Sequence, residues 1–279
     1  MNVSEPIRIA QESLSPAERK VAEVVNADPE AVAFGTVAEV ASRAGTSGPT
    51  VVRFAERLGY QGFVGLQAAV RANLSQRLRP AVERIRGDAD ASILERTLAV
   101  ELANVRRTLE GVDSRMFRSA VQRLADPRRR IGVLPSEQCR GPGSNLAAEL
   151  GLLRDGVHLV FGSQFRVVSL LSNLRARDTV VLVDLRRHER WIVEASAIVA
   201  KAGAHRIVVS DSPLSTLAHG AEHFFAVAAE AAGPFDSSVG IQALLNALVA
   251  GVAEKLRPTA TKRLDALEAA WVRTGALVD

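Results

Sequence analysis

Between Ala44 and Arg79 the acidic residue Glu56 stands alone against Arg53, Arg57, Arg71, Arg77 and Arg79. A local positive field of this kind suits a polyphosphate partner, and an arginine in mid-helix presents a forked donor that reads guanine in the major groove. Thr46, Ser47, Pro49, Thr50, Arg53 and Arg57 are therefore the candidate DNA contacts. Hydroxyls and a helix start suit phosphate oxygens, and arginines suit phosphates or base edges. A second constellation is scattered through the C-terminal half: Ser136, Cys139, Asp184, Arg186, Arg187, Ser210 and Ser212. Hydroxyls with guanidinium groups hold anionic metabolites, arginine through two parallel bonds to carboxylate or phosphate. Arg186 and Arg187 are the expected anion holders, and a small anionic metabolite is the expected ligand.

Other chemistry is poorly supplied. His188 and Glu189 are candidates for proton transfer by position alone. His219 and His223 have the spacing of a metal pair on a helix, but Gly220 and a strand start near Phe224 break that helix, and a third ligand is missing. Neither a metal nor a cofactor is expected. Cys139 is the lone cysteine, so the chain has no disulfide framework.

The elements that must position the first set read as short capped helices. Ser15-Pro16-Ala17-Glu18 and Thr36-Val37-Ala38-Glu39 are capping boxes. Gly45-Thr46-Ser47 breaks the chain, Ser47 caps the next helix with Pro49 in its first turn, and Gly59 stops it after Leu58. Ala41, Gly45 and Val51 supply a small contact residue, a turn glycine and a branched lock, the needs of two helices crossing at a tight angle. Val51, Phe54, Ala55 and Leu58 form the inward face; Pro49, Thr50, Arg53 and Arg57 are left to face outward. Arg71 and Arg77 extend the positive strip.

The second set needs a sheet. After Arg130, apolar runs at 131–134, 158–161, 179–183, 206–210 and 223–227 alternate with helix-length segments. Strands without polar alternation imply a parallel sheet covered on both faces, whose ligands sit beyond the strands' carboxyl ends. The expected fold is an all-α N-terminal helix-turn-helix domain followed by an α/β, flavodoxin-like domain with a five-stranded parallel sheet. Boundaries are expected at 1–79 for the DNA-binding domain, 80–127 for a helical linker entered through Pro80 and Gly87, 128–257 for the α/β domain and 258–279 for an amphipathic tail with Leu264, Leu267 and Trp271.

With 279 residues, 47% of them hydrophobic, the chain can fill two cores. The formal net charge of +4 permits nucleic-acid binding without demanding it. No run of about 18 apolar residues and no secretion signal is visible, so a soluble, cytoplasmic protein without a membrane partner is expected. A symmetric operator on double-stranded DNA asks for paired recognition helices, hence a homodimer or homotetramer. The apolar last helix, about 237–256, and the tail are the expected self-association surface.

Leu14-Ser15-Pro16-Ala17-Glu18-Arg19-Lys20-Val21-Ala22, Thr50-Val51-Val52-Arg53-Phe54, Leu58-Gly59-Tyr60 and Gln61-Gly62-Phe63 resemble the RpiR/MurR family of transcription regulators. That family joins an RpiR-type helix-turn-helix to a sugar isomerase (SIS) domain, in the order seen here. The resemblance implies a sugar-phosphate cradle of glycine and hydroxyl residues after the first and third strands. Here the first loop reads Leu134-Pro135-Ser136-Glu137-Gln138-Cys139, with proline for glycine, and the third reads Asp184-Leu185-Arg186-Arg187-His188-Glu189. The third loop has no hydroxyl, which shifts the expectation from a sugar phosphate toward anions more generally. Two other classes fit parts of the pattern: a sugar-phosphate isomerase or epimerase with an accessory helical domain, and a constitutive DNA-binding protein whose α/β domain only oligomerises.

Overall fold

A computed structural model describes residues 3, 6–7, 10, 13–78, 92–186, 188–212 and 215–276. Arg79, Pro80, Gly87 and Arg187 lie outside the described residues, as does the side chain of Arg77. Two compact units are present: Met1–Gly87 with Ser212–Gly220, and Asp88–Asp211 with Ala221–Asp279.

The first unit holds α1 (Pro16–Ala27), α2 (Pro29–Phe34), α3 (Val37–Arg43), α4 (Gly48–Arg57) and α5 (Gly62–Leu78). Both capping boxes form: the Ser15 hydroxyl accepts from the Glu18 amide at 3.3 Å while the Glu18 carboxylate accepts from the Ser15 amide at 2.8 Å, and Thr36 and Glu39 repeat the exchange. Helix α2 was not anticipated. Asp28 ends α1, and its carboxylate accepts from the Ala31 amide to open α2 at Pro29. Gly45 and Gly59 take φ of 56° and 86°, the left-handed turns that end α3 and α4. Val21, Val25, Val40, Val51, Phe54 and Leu66 meet in a core closed to solvent.

The second unit begins with α6 (Ile93–Glu110) and α7 (Ser114–Ala125). Then follow β1 (Ile131–Pro135), α8 (Arg140–Leu153), β2 (Val157–Leu159), α9 (Gln164–Leu171), β3 (Thr179–Val183), α10 (Arg190–Lys201), β4 (His205–Ser210), β5 (His223–Ala226), α11 (Val239–Lys255) and α12 (Arg257–Thr274). The sheet is parallel throughout, in the order β2-β1-β3-β4-β5. Every residue of β1 and β3 is buried, as expected of central strands covered on both faces. Ile131, Val133, Val181, Val183, Ile207 and Val209 point to one face, where they join residues of α7, α8 and α11. Alternate residues point to the other face by the pleat of the strand.

One expectation about the C-terminal end is corrected. Helix α11 is not an exposed apolar surface: Ile241, Leu244, Leu245, Leu248 and Val252 are buried in the unit's own core, where α11 packs against α6, α7 and α8. Arg257–Thr274 form an 18-residue helix that docks on α8 through Arg263, which pairs with Asp155 at 2.8 Å and donates to the Gly151 carbonyl at 3.1 Å. Among the described residues no single helix is long and apolar enough to cross a membrane.

Candidate functional site

Helices α3 and α4 make the helix-turn-helix. The turn closes through the Thr46 amide, which donates to the Ala41 carbonyl at 2.9 Å, and Ala41 itself is buried where the helices meet. Ser47 is the N-cap residue of α4, but its hydroxyl pairs with that of Thr50 at 2.9 Å rather than with a helix amide. Pro49 and Arg53 are exposed on the outer face, Thr46 is half-buried beside them, and Val51, Phe54 and Ala55 are buried as the pattern required.

Three residues of the expected strip make contacts within the fold. Thr50 is only 7% exposed, because the Ser47 hydroxyl draws its side chain into the turn, so it is not on the outer face. Arg57 reaches back to α1: its Nε donates to the Glu18 carboxylate at 2.9 Å and its Nη1 to the Ser13 carbonyl at 3.3 Å. Burial raises the Glu18 carboxyl, but the Ser15 amide and hydroxyl together with Arg57 more than offset this and hold it below its ordinary value. Arg71 donates to the Ala33 carbonyl at 2.5 Å and sits over the Phe34 ring, while Gln67 donates to the carbonyls of Val32 and Gly35 at 3.0 and 2.8 Å. Both side chains of α5 thus satisfy the open carbonyl end of α2, where a cation is also favoured by the helix dipole. Arg53 stays exposed on a helix face with Pro49 and Ser47, while Arg57 and Arg71, also exposed, are each bonded to an acid or a carbonyl.

In the second unit the strand order reverses at β1 and β3, which places the crevice beyond Pro135 and Val183. Ser136 and Cys139 lie there, buried, with the Cys139 amide donating to the Ser136 hydroxyl at 3.4 Å. Burial pushes the Cys139 thiol up to about 12, and Asp184, Asp211 and Asp236 add to the rise. The thiol is closed to solvent and belongs to the wall of the crevice, whereas the sequence placed it among the ligand-binding residues. Ser210 is fully buried at the end of β4, its hydroxyl turned to Asp211 at 3.4 Å. Ser212 is buried and directly follows Asp211 in the chain.

Asp184 is the hub of the β3 loop. One of its carboxylate oxygens accepts from the Leu185 amide at 2.8 Å and the other meets His188 Nδ1 at 2.6 Å. The sequence offered His188 and Glu189 only by position; the pairing with Asp184 was missed, although the two stand four residues apart. Glu189 bridges the loops after β1 and β3, accepting from the Glu137 amide at 2.9 Å and from the Trp191 indole at 2.5 Å.

Arg186 is not an open anion receptor, contrary to expectation. Its φ is 45°, in the left-handed region, and its amide donates to Asp211 at 2.8 Å. The nearly buried side chain turns to the segment after β5, donating to the Ala229 carbonyl at 3.3 Å and pairing with Glu230 at 3.2 Å and Asp236 at 2.9 Å. Two carboxylates already neutralise it. A positive group open to solvent at the crevice is Arg140, at the start of α8, 4.9 Å over the Phe161 ring and 3.7 Å from the Glu137 carboxylate. Beside it Gly141 has nothing within 4 Å of where a side chain would stand, so a ligand can approach the backbone there. Gly143 is needed for another reason: a Cβ on it would lie 2.6 Å from the Pro135 ring, so the proline that replaced the expected glycine is accommodated by a glycine on the facing helix.

The segment after β5 also clasps α6. Asn104, fully buried, donates to the Glu230 carbonyl at 2.7 Å and accepts from the Glu230 amide at 3.2 Å. Thr108 accepts from the Ala228 amide at 2.9 Å, and Ser237 donates to Glu101 at 2.6 Å. One loop therefore touches Arg186 on one side and α6 on the other.

His219 and His223 do not share a helix, in keeping with the break read from the sequence at Gly220. Gly220 takes φ of 64°, and His223 opens β5, where its Nδ1 meets His205 Nε2 at 2.6 Å. Burial first, then Arg123, lowers both histidines, His205 to about 4. Among the described residues no cluster of three metal-ligating side chains is present.

The arrangement defines a class: a helix-turn-helix unit ahead of a doubly wound parallel α/β unit with a crevice at its switch point. Residues 1–77 match the helix-turn-helix domain of the rpiR family and residues 143–251 match the SIS domain. The chain thus carries an rpiR-family helix-turn-helix domain followed by a SIS domain. It is 32% identical over 126 residues to the HTH-type transcriptional regulator HexR of Escherichia coli K12, a match covering 45% of this chain and 43% of HexR. The chain therefore spans less than half of that relative's length. Among solved structures it resembles the sugar isomerase domain of an RpiR transcription factor from Sphaerobacter thermophilus, with a TM-score of 0.58, 25% identity, and 64% of this chain and 99% of that one covered. It also resembles the Vibrio vulnificus NanR protein complexed with ManNAc-6P, with a TM-score of 0.57, 21% identity and full coverage of both chains.

Proposed function

We propose that this chain is a DNA-binding transcription regulator whose helix-turn-helix domain grips a double-stranded operator and whose SIS domain senses a small anionic sugar derivative. The observation that carries the reading is the presence in one chain of a helix-turn-helix with Arg53 facing outward and a parallel sheet with a polar crevice at its switch point. Arg53 reads a base edge, Ser47 and the start of α4 meet phosphate, and paired copies of the chain match a symmetric operator.

For the ligand, the Gly141 amide and Arg140 take the anionic group, and carboxylates at the strand ends, Asp211 among them, accept hydroxyl donors. A free inorganic anion is disfavoured by those same carboxylates, whereas a phosphosugar offers both an anion and hydroxyls. That the like-folded NanR is complexed with ManNAc-6P supports this class. Arg186 transmits: a ligand that draws on Asp211 or Asp236 disturbs the Arg186 clamp, and the loop that closes it carries the change to α6 through Asn104.

The test is fluorescence anisotropy of the full chain on a duplex selected from a random pool, titrated with phosphosugars, free sugars and inorganic phosphate. A phosphosugar should shift the midpoint of DNA binding at least fivefold, and Arg140→Ala should abolish the shift without changing binding in its absence. Equal effects of free sugars, or none from the whole panel, would overturn the effector class. The Asp184–His188 pair favours one second reading, an isomerase in which His188 moves a proton while Asp184 orients it. Turnover of a phosphosugar followed by NMR, lost in His188→Gln, would install that reading in place of the first.

A further inference from the structure

A cavity of about 490 Å³ lies between the end of α9 and strands β1 and β2. Arg130 and Ile131 stand at the start of β1, and Asn173, Leu174 and Arg175 lead into β3, so the cavity sits toward the amino ends of the strands. The crevice lies beyond their carboxyl ends. The volume is that of a small-molecule site, and the walls are aliphatic: Val160, Leu170, Leu171 and Leu174. Leu170 stays 39% exposed, which leaves apolar surface for the body of a ligand to cover.

The polar groups of the lining select the charge of that ligand. They include Arg130, Arg175 and His158, and no carboxylate is found among the described residues that line the cavity. Arg130 is matched by the buried Asp178, which takes its Nε at 3.1 Å and its Nη2 at 2.5 Å, and Nη2 also donates to the Asn173 carbonyl. Its Nη1 bonds to none of the described residues. The Arg175 amide donates to Asp178 at 3.0 Å, but the exposed Arg175 side chain bonds to none of the described residues. One positive charge is therefore left to be matched. A carboxylate balances it and fits the forked donors of arginine, whereas a phosphate monoester brings about −1.5 to −2 charges.

We infer that this cavity is a second ligand site, which takes an aliphatic carboxylate. The chain of the ligand lies along the leucines, and its carboxylate meets Arg175 and the open Nη1 of Arg130. The site is independent of the sensing role given to the crevice, where Asp184, Asp211 and Asp236 disfavour a plain carboxylate.

The experiment is calorimetry on the full chain with octanoate, beside acetate, which lacks the chain, and octanamide, which lacks the charge. Octanoate should bind, and both others at least about tenfold more weakly. Arg175→Gln should weaken octanoate about fivefold, and Leu170→Trp, which fills the cavity from a partly open position, should abolish binding, each with an unchanged far-ultraviolet spectrum. Arg140→Ala should bind octanoate as the wild type does. No heat with octanoate, equal binding of octanamide, or an affinity untouched by Arg175→Gln would overturn the site without bearing on the phosphosugar reading. Loss of octanoate binding in Arg140→Ala would assign the carboxylate to the crevice and overturn it as well.

Discussion

Replacing Arg53 with alanine separates recognition from folding in a way that neighbouring arginines cannot. The side chain is exposed, and its structural contact is a long one, 3.4 Å from Nη2 to the Thr50 hydroxyl, which already has Ser47 as a partner. Loss of such a contact at a surface position should change stability by less than about 0.5 kcal/mol. A bidentate base contact is worth about 1–3 kcal/mol of discrimination, which corresponds to roughly 5- to 150-fold in affinity for the selected duplex. Arg57→Ala should do the opposite. Glu18, whose side chain is 5% exposed, would lose its guanidinium partner, and because Arg57 is itself half exposed the cost is about 1 kcal/mol of stability with sequence preference intact. The assay is anisotropy on the selected and a scrambled duplex across a salt series, beside urea unfolding of each variant. Arg53→Ala should bring the two duplexes closer in affinity with the same unfolding midpoint. If it leaves preference untouched while Arg57→Ala erases it without loss of stability, the assignment of the outer face of α4 is wrong.

Two further outcomes follow from the second unit. Asn104→Ala leaves the amide and carbonyl of Glu230 without their buried partner and should cost about 2–4 kcal/mol by chemical denaturation; Asn104→Ala with wild-type stability would show that the clasp on α6 is idle. The His205–His223 pair makes the fold acid-sensitive. Both are lowered in the folded state, so the unfolded chain takes up protons first as pH falls; stability is whole above the ordinary histidine value of 6.5 and declines from there toward about 4. His205→Gln should flatten that decline in a pH series of thermal melts, and an unaltered slope would contradict the assignment.

The sequence by itself determined the parts that depend on neighbours in the chain. Capping boxes at Ser15 and Thr36, the glycines at 45 and 59, and the period of Val51, Phe54 and Ala55 are local signals, and the helix-turn-helix they specify is present. The apolar runs of the five strands are equally local, and their parallel order follows from the helices between them. What tertiary structure decided was the fate of the polar side chains. Arg57, Arg71 and Arg186 are alike in sequence to Arg53, yet each is taken by an acid or a carbonyl, and every such partner of these three except Asp211 lies 38 or more residues away. Thr50 shows the same limit at short range, since a helical period assigns it to the outer face but the hydroxyl of Ser47 turns it inward. Charge and donor count are properties of a residue, whereas availability depends on which acceptors the fold brings within about 3 Å. For that reason the sequence identified the helix proposed to face DNA and the strand ends that line the crevice, and only the folded chain showed which arginines, Arg57, Arg71 and Arg186 among them, are held by acids and carbonyls.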